Sequence, residues 1–197
     1  MVSSLPDYAD SEAPLQIRRF TRKEYHALID AGVLDEDEQC ELLDGVIVPM
    51  TPQGGRHSKA IIRLNMLLAP ALSGRAMVGV QVPFAASDIS EPEPDLFIVH
   101  LDEDDFDDEN LREAYCIIEV AVTSQRRDRR KVRVYAEANV PQLILIDVPK
   151  REARILRGPR NGDYDRVDTI REGTPIPIDA FPDVTFDLTQ VLPKATP

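Results

Sequence analysis

Long apolar runs are missing from this 197-residue chain, and so is any excess of positive charge. No stretch approaches the roughly 18 consecutive apolar residues of a membrane-spanning helix. The first residues carry no basic-then-apolar leader, so a cytoplasmic protein is expected. Cysteine is scarce. Cys40 and Cys116 sit in strand-like segments without the spacing of metal ligands, and read as buried thiols rather than a disulfide framework. A net charge of −12 excludes a general nucleic-acid coat. No internal repeat is present, and nothing marks a second domain.

What charge there is lies unevenly. Residues 1–109 hold 8 basic and 22 acidic side chains, whereas residues 110–160 hold 12 and 6. Much of the acidity is the run Asp102-Glu103-Asp104-Asp105-Phe106-Asp107-Asp108-Glu109, which reads as a solvated loop because like charges repel. The basic segment follows at once. Arg126, Arg127, Arg129, Arg130 and Arg133 load one helix, either as a solvated face or as a phosphate-positioning one.

Residues 1–16 are expected to be disordered. Thr21-Arg22-Lys23-Glu24 is a capping box opening a short helix that Gly32 ends. Cys40 to Val48 reads as a β-hairpin turning at Asp44-Gly45, with Glu41 and Leu43 on one face and Cys40 and Leu42 on the other. Ile61, Leu64, Leu68 and Leu72 share a face of a second helix. Strands are expected at Met77–Phe84, Pro94–Val99, Tyr115–Val122, Leu143–Val148, Ala153–Leu156 and Tyr164–Ile170. Ser124 can cap a helix over about 125–138, stopped near Asn139-Val140-Pro141. The Pro-rich segment from Thr174 reads as an edge, with residues 191–197 a loose tail. The order predicts a mixed sheet with helices on its faces.

Four acidic or basic positions stand out against their surroundings. Asp95 follows Pro94 at the mouth of a strand, Glu119 sits in the middle of another 24 positions later, and Glu41 lies on the hairpin. Carboxylates in apolar strands need a cation or a donor. A hard divalent ion such as Mg²⁺ or Mn²⁺ could serve Asp95, Glu119 and the backbone carbonyl of Val120 together, with Glu41 as a further ligand. A nearby lysine would then orient or help deprotonate water. Position 121 is alanine, so the candidate is Lys131 on the next helix, sharing a face with Asp128, Tyr135 and Ala138. Lys131 reads also as a surface lysine paired with Asp128, and Glu41 as an exposed edge acid. His57, beside Gly54-Gly55, reads as a helix-start residue or as a phosphate or water contact; Gln81 is a weaker candidate, and His26 and His100 are read as structural.

Glu41-Leu42-Leu43-Asp44-Gly45, His57-Ser58, Pro94-Asp95, Ile118-Glu119-Val120 and Lys131 through Tyr135-Ala136-Glu137-Ala138-Asn139-Val140 to Asp147 come in an order that resembles the Uma family. That family is one of restriction-endonuclease-like proteins within the PD-(D/E)XK nuclease superfamily. Asn139 departs from it, standing where glycine is common. The resemblance implies an α/β restriction-endonuclease-like core, with a mixed central sheet flanked by helices, forming one domain over 17–190. It implies a Mg²⁺-dependent DNA endonuclease with Asp95 and Glu119 on the metal, Glu41 near it, Lys131 as a displaced catalytic lysine, and His57 at a motif position. A homodimer is expected by analogy, since cutting both strands is simplest with two symmetric sites. Two alternatives stand beside this: a non-catalytic nucleic-acid or protein interaction module on the same fold, and a phosphoesterase of small substrates. Convergence of the carboxylates with Lys131 discriminates the first of them.

Overall fold

The computed structural model describes residues 17–35, 38–50, 54–101, 111–121 and 125–194, with the backbone alone for 125–128. The expected N-terminal disorder, the acidic run at 102–109 and the Ser124 cap lie outside the described residues. Helix α1 (Arg22–Asp30) opens on the expected capping box, with Thr21 and Glu24 satisfying each other's backbone N–H. It packs Tyr25 on the Cys40 and Leu42 face of a hairpin formed by β1 (Cys40–Leu43) and β2 (Val46–Pro49). Asp44 and Gly45, at φ 52° and 72°, both take the left-handed conformation that a tight two-residue hairpin turn demands.

A six-stranded sheet carries the rest, in the order β3 (Met77–Val80), β4 (Leu96–Val99), β5 (Cys116–Ala121), β6 (Gln142–Asp147), β7 (Glu152–Arg160) and β8 (Asp163–Arg171). Only β5 and β6 run parallel, because a crossover helix, α3 (Gln125–Glu137), joins them. The central strands are apolar on both sides because both faces are covered. Cys116, Ile118, Ile144, Ile146 and Ile155 meet helix α2 (Gly55–Leu72), the hairpin β9 (Ile176–Ile178) and β10 (Phe181–Phe186), and the one-turn helix α4 (Leu188–Val191). Phe97, Ile117, Leu143 and Leu156 meet Tyr135 and Ala136 of α3. Glu119 alternates onto this α3 face, two residues after Ile117. Both cysteines are free and buried, as expected.

Three boundaries differ from the sequence expectation. The first strand of the sheet stops at Val80, since Gln81 takes φ 52° and turns the chain away. β7 and β8 each reach nine residues, because they pair with each other beyond the core as a long hairpin. The tail assigned from 191 is ordered further than expected: Val191 and Leu192 are buried in the α2 face, and Arg63 donates to both their carbonyls, at 3.4 and 2.7 Å. Asn139 fills the glycine position after α3 at φ 57°, with Asn139 N–H on the Ala136 carbonyl and Val140 N–H on that of Tyr135, both at 3.0 Å.

Gly79 of β3 lies opposite Phe97 of β4, and a Cβ there would stand 2.1 Å from the Phe97 ring, which is fully buried. Gly79→Ala is therefore expected to destabilise the protein by about 1–3 kcal/mol in denaturant unfolding. The spectroscopic secondary-structure content should stay the same.

Candidate active site

Pro94 has no N–H to give, and the β4–β5 ladder ends at the Leu96–Ile118 pair. Beyond that point the side chain of Asp95 takes over. Its Oδ2 accepts the Val120 N–H at 2.7 Å, and Gln81 N–H, at 3.2 and 3.3 Å, holds the Pro94 and Asp95 carbonyls. Asp95 is thus pinned to the backbone beside Glu119. Its Oδ2 also lies 3.0 Å from Nε2 of His57, at the start of α2. The Nδ1 of that ring is buried and makes no hydrogen bond among the described residues. A bare lone pair there costs less than an unpaired N–H, which assigns the proton to Nε2 and makes His57 a donor to Asp95.

Lys131 lies at the centre. Its ammonium is 3.0 Å from Glu41 Oε2 and 3.1 Å from Glu119 Oε1, and donates to the Glu93 carbonyl at 3.3 Å. Three donors meet three acceptors, from the hairpin, from β5 and from the lead-in to β4. The side chain is 15% exposed, so the surface-lysine alternative does not hold. One turn on from Lys131, Tyr135 donates to the same Glu119 oxygen at 2.6 Å. Glu41 is 3% exposed, not an edge acid in water, and the Glu93 N–H approaches its Oε2 at 3.4 Å.

Burial dominates the electrostatics. It raises the Glu119 carboxyl to about 7, against the opposing pull of Lys131 and the Tyr135 hydrogen bond, with Asp95 and Glu41 adding to the rise. Burial alone would lower the Lys131 ammonium, but Glu119 and Glu41 override it and the group is raised. Tyr135 is raised by burial and then by Glu119, so it stays a phenol and a donor. Glu93, half-buried, is raised by burial and by Glu41.

The hairpin that brings Glu41 is held to α3 at a second point. Asp44 pairs with Arg133 and lies 3.8 Å from Arg130. Those two arginines are therefore committed to a carboxylate. All the expected site residues except Gln81 come together; the Gln81 side chain is exposed, and only its backbone serves the site. His26 is 3.0 Å from Glu91, and His100 is 2.7 Å from the Tyr115 hydroxyl, both outside this cluster. Tyr135, Glu93 and Asp44 were not singled out from the sequence. Tyr135 was visible four residues after Lys131; Glu93 and Asp44 carried no signal beyond a Pro-flanked acid and a turn residue.

This sheet, crossover helix and carboxylate–lysine cluster define a restriction-endonuclease-like fold. A crystal structure described as "a putative nuclease belonging to DUF820" from Anabaena variabilis superposes with a TM-score of 0.70 at 16% identity, over 83% of this chain and 96% of that one. A family model described as "Uma2: Putative restriction endonuclease" matches residues 22–189. The chain belongs to that Uma2 family. Among curated proteins no match was found.

Lys131→Met should leave Glu41 and Glu119 buried without their cation. The expected cost is about 3–5 kcal/mol in urea unfolding at pH 8. The loss should shrink toward pH 5, because a carboxyl whose folded pKa is raised above its ordinary value stabilises the fold in its protonated form, and that contribution fades as pH rises through the folded value. A pH-independent loss would contradict the assignment of Lys131 as counter-charge.

Proposed function

We propose that this protein is a DNA endonuclease that hydrolyses phosphodiester bonds with a divalent cation, Mg²⁺ or Mn²⁺, held at Asp95 and Glu119. The convergence of those two carboxylates with a buried lysine carries the proposal. Each acid commits one oxygen to the protein, Asp95 Oδ2 to His57 and Val120, Glu119 Oε1 to Lys131 and Tyr135. The second oxygens, Asp95 Oδ1 and Glu119 Oε2, make no hydrogen bond among the described residues. Two hard oxygen donors, one of them the Glu119 carboxyl that burial raises, suit such a cation. No group of three or more His, Cys, Asp or Glu side chains among the described residues is arranged to hold a metal. Two carboxylates and the Val120 carbonyl, with water and substrate supplying the rest, match a cation that keeps much of its hydration.

Bound there, the cation would polarise the phosphodiester and lower the pKa of an attacking water. Lys131 is raised, not lowered, so it is a poor base at neutral pH; its work is to keep Glu119 ionised and to place positive charge beside the reacting phosphate. Glu41 anchors that ammonium. Tyr135 fixes the carboxylate of Glu119, and His57 that of Asp95. A homodimer would supply two such sites for the two strands. The non-catalytic alternative called for scattered carboxylates or a solvent-facing Lys131, and the geometry lends it no support.

Metal-dependent nicking of plasmid DNA tests the proposal. Asp95→Ala and Glu119→Ala are each expected to cut the rate by about 10³-fold or more, and chelation should abolish it. Unchanged activity in either variant sinks the assignment. Independently of catalysis, Mn²⁺ should raise the melting temperature of the wild type. That increment should grow from pH 5 to pH 8 as Glu119 gives up the proton that competes with the cation, and Glu119→Gln should abolish it.

A further inference from the structure

Beside the site, a cleft of about 630 Å³ opens between α3 and the α3-facing side of β6–β8. Its walls include Ala121 and Leu145, which tie it to the carboxylate cluster. Ala121 lies two residues beyond Glu119 on the same face of β5, and Leu145 is the register partner of Glu119 on β6. One strand further, Leu145 pairs with Arg154 on β7. Glu119, Leu145 and Arg154 therefore form one row across the sheet, with Arg154 roughly 10 Å from Glu119 across two strand spacings.

Several arginines near this cleft are paired with carboxylates. Arg130 and Arg133 are taken by Asp44, Arg157 by Asp168 and Asp179, and Arg151 by Glu172. Arg154 on the floor and Arg129 on the α3 wall are exposed and have no carboxylate partner among the described residues. Of the acids here, Asp147 is neutralised by Lys150 at 2.8 Å, whereas Glu152 and Asp163, which accepts the Tyr164 N–H at 2.8 Å, have no cation partner among the described residues. Arg129 and Arg154 thus bring two guanidinium groups without a carboxylate partner to the walls of a cleft that begins beside Glu119. At the end of the cleft nearest the cluster, position 121 carries only the small side chain of alanine.

We propose that this cleft is the track of the substrate strand as it leaves the scissile position, with Arg129 and Arg154 each gripping a backbone phosphate. This rests on the endonuclease reading and extends it. Such contacts fix where the strand lies and carry no sequence information. Arginine suits the role because its planar fork matches phosphate oxygens bidentately.

Duplex DNA binding to Arg129→Ala, Arg154→Ala and the double variant, measured by fluorescence anisotropy across a salt series in Ca²⁺, tests the proposal. Arg166→Ala is the control, an exposed arginine on the opposite face of β8. Each single change is expected to weaken binding several-fold and to reduce the slope of log K against log salt by about 1, with the double variant losing about 2. The Mn²⁺ thermal shift at Asp95 and Glu119 should stay as in the wild type, and so should Arg166→Ala binding. A wild type that binds and cuts DNA, with Arg129 and Arg154 variants that keep its affinity and salt slope, overturns the track and leaves the endonuclease reading standing. Equal losses in Arg166→Ala also overturn it, since the effect is then one of total charge. A wild type that neither binds nor cuts DNA removes both.

Discussion

The buried ammonium of Lys131 is the contact on which the site depends. Glu41 and Glu119 arrive from separate parts of the fold, and both are shielded from water. Placed together without a cation they would repel. Such a charge cluster contributes little net stability against an apolar substitute of the same shape, but it admits one arrangement only. The third acceptor, the Glu93 carbonyl, extends the same constraint to the segment that delivers Asp95.

Two kinds of precision meet at this cluster. Asp95 and Glu119 are placed by β-ladder register and by a carboxylate that completes the ladder where Pro94 ends it. Glu41 is placed otherwise. Its hairpin is a separate two-stranded sheet, tied to the rest by ion pairs, by a bridge between Leu42 and Glu91, and by hydrogen bonds at its turn. Strand register sets the pair proposed to hold the cation, and side-chain electrostatics set the group that balances it. The arginines of α3 divide on the same principle, Arg130 and Arg133 serving the hairpin and Arg129 facing the cleft.

Most of the fold was legible because its signals are local. The capping box at Thr21, the Asp-Gly turn, the helical spacing of Leu64 and Leu68 and the apolar runs of β5 and β6 each fix an element by themselves. Asp95 and Glu119 were legible as charges in apolar strands, and Lys131 because position 121 offers none. Less legible were features that depend on distant residues. The length of the β7–β8 hairpin comes from mutual pairing of polar strands, and the burial of Val191 and Leu192 from a face of α2 more than a hundred residues earlier. The commitment of Asp44 to α3 is of the same kind. Nothing in an Asp-Gly dipeptide distinguishes a turn in water from one that clasps a helix.

That clasp spans 89 residues of chain between Asp44 and Arg133. Closing so long a loop carries an entropic cost that the local hairpin and helices do not. During synthesis the early acids emerge first, and no counter-charge exists for Glu41 until α3 has left the ribosome. The cluster therefore cannot assemble on a partial chain. For a protein proposed to cut DNA, an inert nascent state is a built-in delay, set by the order in which the chain is written.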